Sequence, residues 1–137
     1  MRRLLFLLLI FSVEQMQAQI QSAYPPSDSG YFSSFDSTRI YYEVRGQGRP
    51  VLLIHGFIVN GSSWKRTALL NDLVDQGFKV ITVDLRGNGR SGKPASEISY
   101  ASDAEAKDLM LLIHYLKIKT YDAVGYSRGS IILARLL

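Results

Sequence analysis

The chain has 137 residues, room for one small domain or part of a larger one. It is 47% hydrophobic and 20% charged, a balance that favours a packed core over disorder. It has no cysteine, which excludes a disulfide framework and a thiolate zinc site, and its +4 charge is scattered without the stripe or cluster that a nucleic-acid footprint needs.

The N-terminus reads "MRRLLFLLLIFSV", a basic start and an apolar run, followed by "EQMQAQ" with the small residue Ala18 at a plausible cleavage point. Residues 1–18 therefore read as a signal peptide, and the expected location is secreted or periplasmic. The competing reading is a retained membrane anchor, for which the run is short of the ~20 apolar residues a spanning helix needs. A membrane is a partner only if this segment stays. Residues 1–18 hold two Arg and one Glu, so removing them leaves 14 Lys+Arg against 11 Asp+Glu, or +3. Residues 19–29, with "YPPSDSG", read as a flexible linker, and the domain is expected over 30–137.

From Gly30 the elements alternate. "YFSSF" and "RIYYEV" are strand-like runs joined by the turn-forming Asp36-Ser37-Thr38. "VLLI" is an apolar run of the kind found in strands buried on both faces. "HGFIVNGSS" is a glycine-broken loop. Within it Asn60-Gly61-Ser62 fits both a glycosylation sequon and an ordinary turn. A helix is predicted from about Ser63 to Gln76, on Leu69, Leu70, Leu73 and Val74, with Gly77 placed to end it. "FKVITV" is a second buried strand and "DLRGNGRSGKP" a long loop. Ser102 and Glu105 fit a capping box opening a helix that carries Leu109, Met110, Leu112, Ile113 and Leu116. "YDAVG" is a short strand, and "SIILARLL" starts a further helix. Strands alternating with helices predict an α/β fold, a mostly parallel sheet with helices packed on it.

Three glycine-containing segments fall where strands end, which is where open parallel sheets form ligand sites. They are His55-Gly56-Phe57, Asp84 to Ser91, and Gly125 to Gly129. In "DAVGYSRGS" the flanking Gly125 and Gly129 suit a strand that turns straight into a helix. The apex, Ser127, would then sit in a strained backbone with its hydroxyl pushed out above the sheet, beside the positive end of a helix. Alone, "GYSRG" is better served by a turn serine that caps the last helix, and the other two loops change that balance.

Together, "VLLIHGF", "VDLRGNGRSGKP" and "DAVGYSRGS" make the chain resemble the alpha/beta-hydrolase superfamily, over about Gly30 to Leu137. The resemblance implies a three-layer sandwich, here truncated after the nucleophile-elbow helix. It implies that Ser127 is a nucleophile forming an acyl-enzyme that water hydrolyses. It implies an oxyanion hole made by the backbone N–H groups of Phe57 and Arg128, supported by His55, Gly56, Gly125 and Gly129. The Arg128 side chain reads as a surface or helix-packing group, and Phe57 as either an acyl-pocket wall or plain packing. His55 is read as shaping the oxyanion loop, and His114 as a surface histidine at the wrong edge of the sheet. Asp84, Arg86, Asn88, Arg90 and Ser91 are read as loop structure.

The resemblance places the triad acid and histidine later in the chain than Leu137. The expected function is thus a serine hydrolase of ester or related acyl bonds, inactive without a C-terminal half that completes sheet and triad. The alternative is a non-catalytic binding module on a degenerate hydrolase scaffold. A serine at the elbow argues against dehalogenase or epoxide-hydrolase chemistry, for which the family uses a carboxylate. The expected partner is a small-molecule acyl substrate. No metal or organic cofactor is implied.

Overall fold

The computed structural model describes residues 28–101 and 103–136. The expected signal segment, most of the expected linker and Ser102 lie outside the described residues. Five strands form one sheet: β1 (Asp28–Ser33), β2 (Arg39–Arg45), β3 (Arg49–Ile54), β4 (Phe78–Val83) and β5 (Asp122–Gly125). Their order is β1-β2-β4-β3-β5. β1–β2 and β2–β4 are antiparallel, while β3 pairs in parallel with both β4 and β5. The sheet is therefore half antiparallel, with its parallel part on the side that ends in Ser127.

β1 begins two residues before the expected boundary at Gly30, because Asp28 and Ser29 already pair with Val44 and Glu43. It ends at Ser33. The Ser34 N–H bonds the Thr38 carbonyl and closes the turn, with Ser37 at φ 65°.

Three helices follow their strands: α1 (Ala68–Asp75), α2 (Ala104–Tyr115) and α3 (Arg128–Leu133). Alternation along the central strands sorts them onto two faces. Leu52, Ile54, Ile81 and Val83 pack with Leu109, Leu112 and Ile113 of α2 and Ile132 of α3. Val51, Leu53 and Val80 point the other way, onto Trp64 and Leu70. This gives the three layers expected. The continuous apolar runs "VLLI" and "FKVITV" are what strands covered on both faces require.

One helical expectation is corrected. The single helix over 63–76 is two pieces: a 3₁₀ segment at Gly61–Arg66, then α1. Between them Thr67 is extended, at φ −105° and ψ 151°. Its N–H and its Oγ1 both bond the Trp64 carbonyl, at 3.1 and 2.7 Å, so that carbonyl is taken within the first turn. Burying Trp64 in the sheet's α1 face fixes the kink. Asn60 caps the 3₁₀ segment, its Oδ1 accepting from the Ser62 N–H at 3.0 Å. Ser102, half of the expected capping box, lies outside the described residues. α2 starts at Ala104 with Asp103 at its N-cap position and no side-chain cap bond. Glu105 is then one position too early to reach back to the cap. It points across to α3 instead, where Arg128 Nε donates to its Oε2 at 3.2 Å.

β5 pairs with β3 on one side, and among the described residues it has no neighbour on the other. Val124 on β5 and Ile131 on α3 are exposed accordingly, while Ile132 is buried.

Candidate active site

The parallel strands β3, β4 and β5 all release their chains at the same end of the sheet, and each release is a tight glycine-containing loop. These loops form one cluster.

The sharpest is the turn out of β5. One residue, Tyr126, separates β5 from Ser127, and α3 starts at the next residue. Ser127 holds φ 53° and ψ −116°, a combination that costs an L-residue of order 1–3 kcal/mol. The bend is locked by backbone bonds: Tyr126 N–H to Ile54 C=O, Gly129 N–H to Tyr126 C=O and Ser130 N–H to Ser127 C=O, each 2.9 Å. Both flanking glycines are required, for different reasons. A Cβ on Gly125 would lie 2.5 Å from the Gly129 carbonyl carbon, the collision across the bend that the spacing suggests. A Cβ on Gly129 would instead run into the Ile54 carbonyl and lie 2.9 Å from the His55 oxygen. Gly129 is thus small so that α3 can start against the end of β3. Ser127 itself is exposed.

The loop out of β3 lies directly against this turn. A Cβ on Gly56 would come 3.1 Å from the Tyr126 ring and 3.5 Å from the Ser127 Cβ. His55 before it is 1% exposed, and both ring nitrogens are engaged. Its Nε2 accepts from the Leu85 N–H at 3.0 Å, so Nδ1 carries the proton and donates to the Gly56 carbonyl at 2.6 Å. Burial pushes the imidazole pKa down, against the Gly56 bond, which raises it. His55 is therefore a neutral tie between the ends of β3 and β4, with no nitrogen free to take a proton from Ser127. His114 is an exposed residue in the last turn of α2. It lies just before the chain returns to the start of β5, whereas Ser127 follows the end of that strand.

Phe57 follows Gly56 and is 65% exposed. Among the described residues no hydrogen bond engages its backbone N–H or that of Arg128. The Phe57 carbonyl is held by Asn88 from the loop after β4, whose Nδ2 donates to it at 2.7 Å and to the Val59 carbonyl at 2.9 Å. The Arg128 guanidinium lies 5.1 Å from the centre of the Phe57 ring. Its Nη2 is 3.0 Å from Glu105 Oε1, completing a two-point ion pair. Burial pushes the Glu105 carboxyl up, against the pull of Arg128. A cleft of about 420 Å³ opens here, lined by Phe57, Asn88, Tyr100 and Arg128 among others.

The loop after β4 is a scaffold for the others. Asp84 accepts from the Gly61 N–H and the Arg90 N–H, both at 2.7 Å. Gly89, at φ 49°, leaves the space a Cβ would take from the Asp84 carboxylate. Ser91 Oγ accepts from the Tyr41 N–H at 2.8 Å. Arg86, with its side chain wholly buried, is bonded twice to Asp108 of α2, both contacts 2.7 Å, and twice to Asp36, at 2.9 and 3.3 Å. Asp36 is held at about 2: burial raises it, and the Arg86 and Thr38 hydrogen bonds with the Arg86 charge together more than offset that rise.

The structure thus gathers Ser127, Phe57, Arg128, His55, Gly56, Gly125 and Gly129 at one end of the sheet, and leaves His114 away from them. Sequence reasoning missed the parts played by Asn88, Glu105 and Asp108. Asn88 stood in a loop read as scaffold only, and Glu105 and Asp108 were hidden in an ordinary amphipathic helix. The nearest sequence signal was that two acidic residues, three apart, sit on an otherwise core-facing side.

The profile of the alpha/beta hydrolase fold matches residues 49–137. A Synechocystis protein named for non-heme chloroperoxidase is 44% identical over 91 residues, 66% of this chain and 32% of that protein. An esterase from Exiguobacterium antarcticum superposes with a TM-score of 0.70 at 33% identity, over 78% of this chain and 38% of that one. An epoxide hydrolase from an endophytic Streptomyces superposes at 0.73 and 33%, over 80% and 32%. The chain spans about a third of the length of these proteins. With three strand-end loops converging on a strained serine, and a profile that covers β3 through α3, the chain belongs to the alpha/beta hydrolase family.

Proposed function

We propose that this chain carries the nucleophile and oxyanion portion of a serine hydrolase acting on esters or related acyl bonds. The observation that carries the reading is the backbone of Ser127, at φ 53° on a two-residue turn between β5 and α3 with its side chain exposed. Strain of this kind persists where surrounding structure enforces it, and here two glycines and three backbone bonds do so. The unengaged N–H groups of Phe57 and Arg128 are the donors for the oxygen of a tetrahedral intermediate.

In the proposed reaction Ser127 Oγ bonds to the carbonyl carbon, and its proton passes to a general base. The carbon–oxygen bond to the alcohol breaks, and the alcohol leaves with that proton. Water then cleaves the acyl-serine ester by the same route. A serine favours acyl carbon over an epoxide or alkyl halide, because a serine ether would resist water where a serine ester does not. Similarity to the Exiguobacterium esterase supports the same choice. His55 has no free nitrogen and His114 lies beyond the wrong end of β5, so base and acid are proposed to come from sequence after residue 137. An N-terminal export segment over residues 1–18 is part of the reading, supported by its basic start and apolar run.

A fluorophosphonate probe tests the site. It should label Ser127 in the protein extended to the length of its relatives, and label neither the Ser127→Ala variant nor, at a comparable rate, the 137-residue chain. If the extended protein is folded and Ser127 stays unlabelled, the hydrolase reading is wrong and the scaffold serves binding alone.

A further inference from the structure

We propose that the side chains of Asn88 and Arg128 are positioning groups that fix the Phe57 peptide against Ser127, from opposite sides. This deepens the hydrolase reading and rests on it for its catalytic consequence. The Phe57 N–H lies between two anchored points. On its N-terminal side, Gly56 is wedged under Tyr126, where even a methyl group would crowd the ring and lie in contact with the Ser127 Cβ. On its C-terminal side, the Phe57 carbonyl is bonded to Asn88, which also grips the Val59 carbonyl and so spans the exposed Ile58. The Phe57 side chain, too exposed to be held by core packing, is covered by the Arg128 guanidinium. Arg128 in turn is held by Glu105 of α2, through one hydrogen bond from Nε and an ionic contact from Nη2, and that carboxylate is largely buried next to the core helix face.

A donor aimed at developing charge is useful only if it does not reorganise, and misplacement by about 1 Å costs as much as 10²-fold in rate. The loop after β3 has few means of rigidity of its own. Phe57 and Ile58 contribute nothing to either core cluster. Asn88 and Arg128 supply the rigidity from outside, the first through two neutral hydrogen bonds and the second through a charge laid on a ring. The Arg128 side chain thus does more than pack on a helix: the residue that offers one oxyanion donor through its N–H steadies the second through its guanidinium.

The test uses Asn88→Ala, Arg128→Met and the double variant, with Lys107→Met as control. Lys107 makes a helical ion pair with Asp103 and lies over Phe35, away from Phe57. Backbone ¹⁵N relaxation on the 137-residue chain should give order parameters near ~0.85 at residues 56–59 in the parent. In Asn88→Ala these should fall below ~0.6 while β4 residues such as Ile81 stay unchanged. Arg128→Met should give a smaller drop, and the double variant less than the sum of the two. In the extended, ester-cleaving protein, Asn88→Ala should lower kcat roughly tenfold with KM altered less than twofold. Lys107→Met should move neither readout. The proposal is overturned if residues 56–59 keep their order in both single variants, or if order is lost equally at Ile81. If the extended protein cleaves no ester, the hydrolase reading fails separately, and the relaxation data still decide whether the clamp exists.

Discussion

Two arginines reach helix α2, one from the loop after β4 and one from the first turn of α3, and they are built alike. Arg86 grips Asp108 and lies 4.8 Å from the Phe35 ring; Arg128 grips Glu105 and lies 5.1 Å from the Phe57 ring. Each is a fork on a carboxylate with its face on an exposed phenylalanine. Their surroundings differ. The Arg86 side chain has no exposed surface and meets a second carboxylate, Asp36, and the Ser99 carbonyl. The Arg128 side chain is 30% exposed and has Glu105 alone. The first site is over-satisfied and ties the β1–β2 turn, the loop after β4 and α2 into one block. The second borders a strained residue and a pair of unbonded amides. Pairing of the same chemical kind therefore serves cohesion in one region and local aim in the other.

The comparison predicts unequal losses. Arg86→Met leaves Asp108, 1% exposed, without its cation, and should destabilise the fold by about 3–5 kcal/mol. Arg128→Met should cost less, about 1–2 kcal/mol, because the Arg128 side chain is 30% exposed, although Glu105, with 12% of its side chain exposed, loses its cation. Urea denaturation followed by circular dichroism measures both, and equal losses would erase the distinction. The elbow's own rigidity is tested by Gly129→Ala. The added methyl meets the Ile54 carbonyl at the end of β3, a backbone group already held by the Tyr126 N–H, so the loss should be about 2–3 kcal/mol. A loss under half a kcal/mol would show that α3 is free to shift away from β3.

How much of this was legible beforehand follows the same division. The apolar runs of β3 and β4 and the spacing of Gly125, Ser127 and Gly129 are local patterns, and strand alternation or turn sterics translate them directly. The layers and the strained serine followed from them. The Arg86 and Arg128 pairs are not local. Asp36, Arg86 and Asp108 are separated by dozens of residues and meet only because β2, β4 and α2 pack side by side. Glu105 shows the hazard of local reading. Its distance from Ser102 suits a local helix cap, but its carboxylate meets Arg128 of α3, a contact between two helices that no local pattern marks. Thr67 is similar: nothing in "KRTALL" marks a break, and burial of Trp64 imposes it.

Acid titration sharpens the Arg86 side of the comparison. The Asp36 carboxyl is held at about 2 in the folded chain, below its ordinary 3.8. A depressed carboxylate contributes its stability in full above the unfolded value, and loses it as the pH falls through the folded one. The contribution of Asp36 should therefore be constant above about pH 4 and fade between there and about pH 2. Asp36→Asn should be less stable than the parent at pH 6, and the two should converge toward pH 2. A gap that does not narrow would mean that the hydrogen bond to Arg86, and not its charge, holds the turn.

The smallest expected effect has the opposite sign, and it separates the two regions most clearly. Where a side chain is well satisfied, removing it can only cost stability, as at Arg86. Where backbone is strained, removing the cause should return it. Ser127 at φ 53° needs a Cβ in a region that glycine occupies without penalty. Its hydroxyl is exposed, and none of the hydrogen bonds that hold the bend uses it. Ser127→Gly should therefore stabilise the chain by about 1 kcal/mol at the same time as it removes the proposed nucleophile. Ser127→Ala keeps the Cβ and so keeps the strain, and its stability should match the parent to within about 0.5 kcal/mol. The gain in the glycine variant must thus be measured against the alanine variant, in the same denaturant series. If glycine and alanine are equally stable, the surrounding bonds have relaxed the bend. The serine would then sit there at no energetic cost, and its conformation would carry no information about what it does.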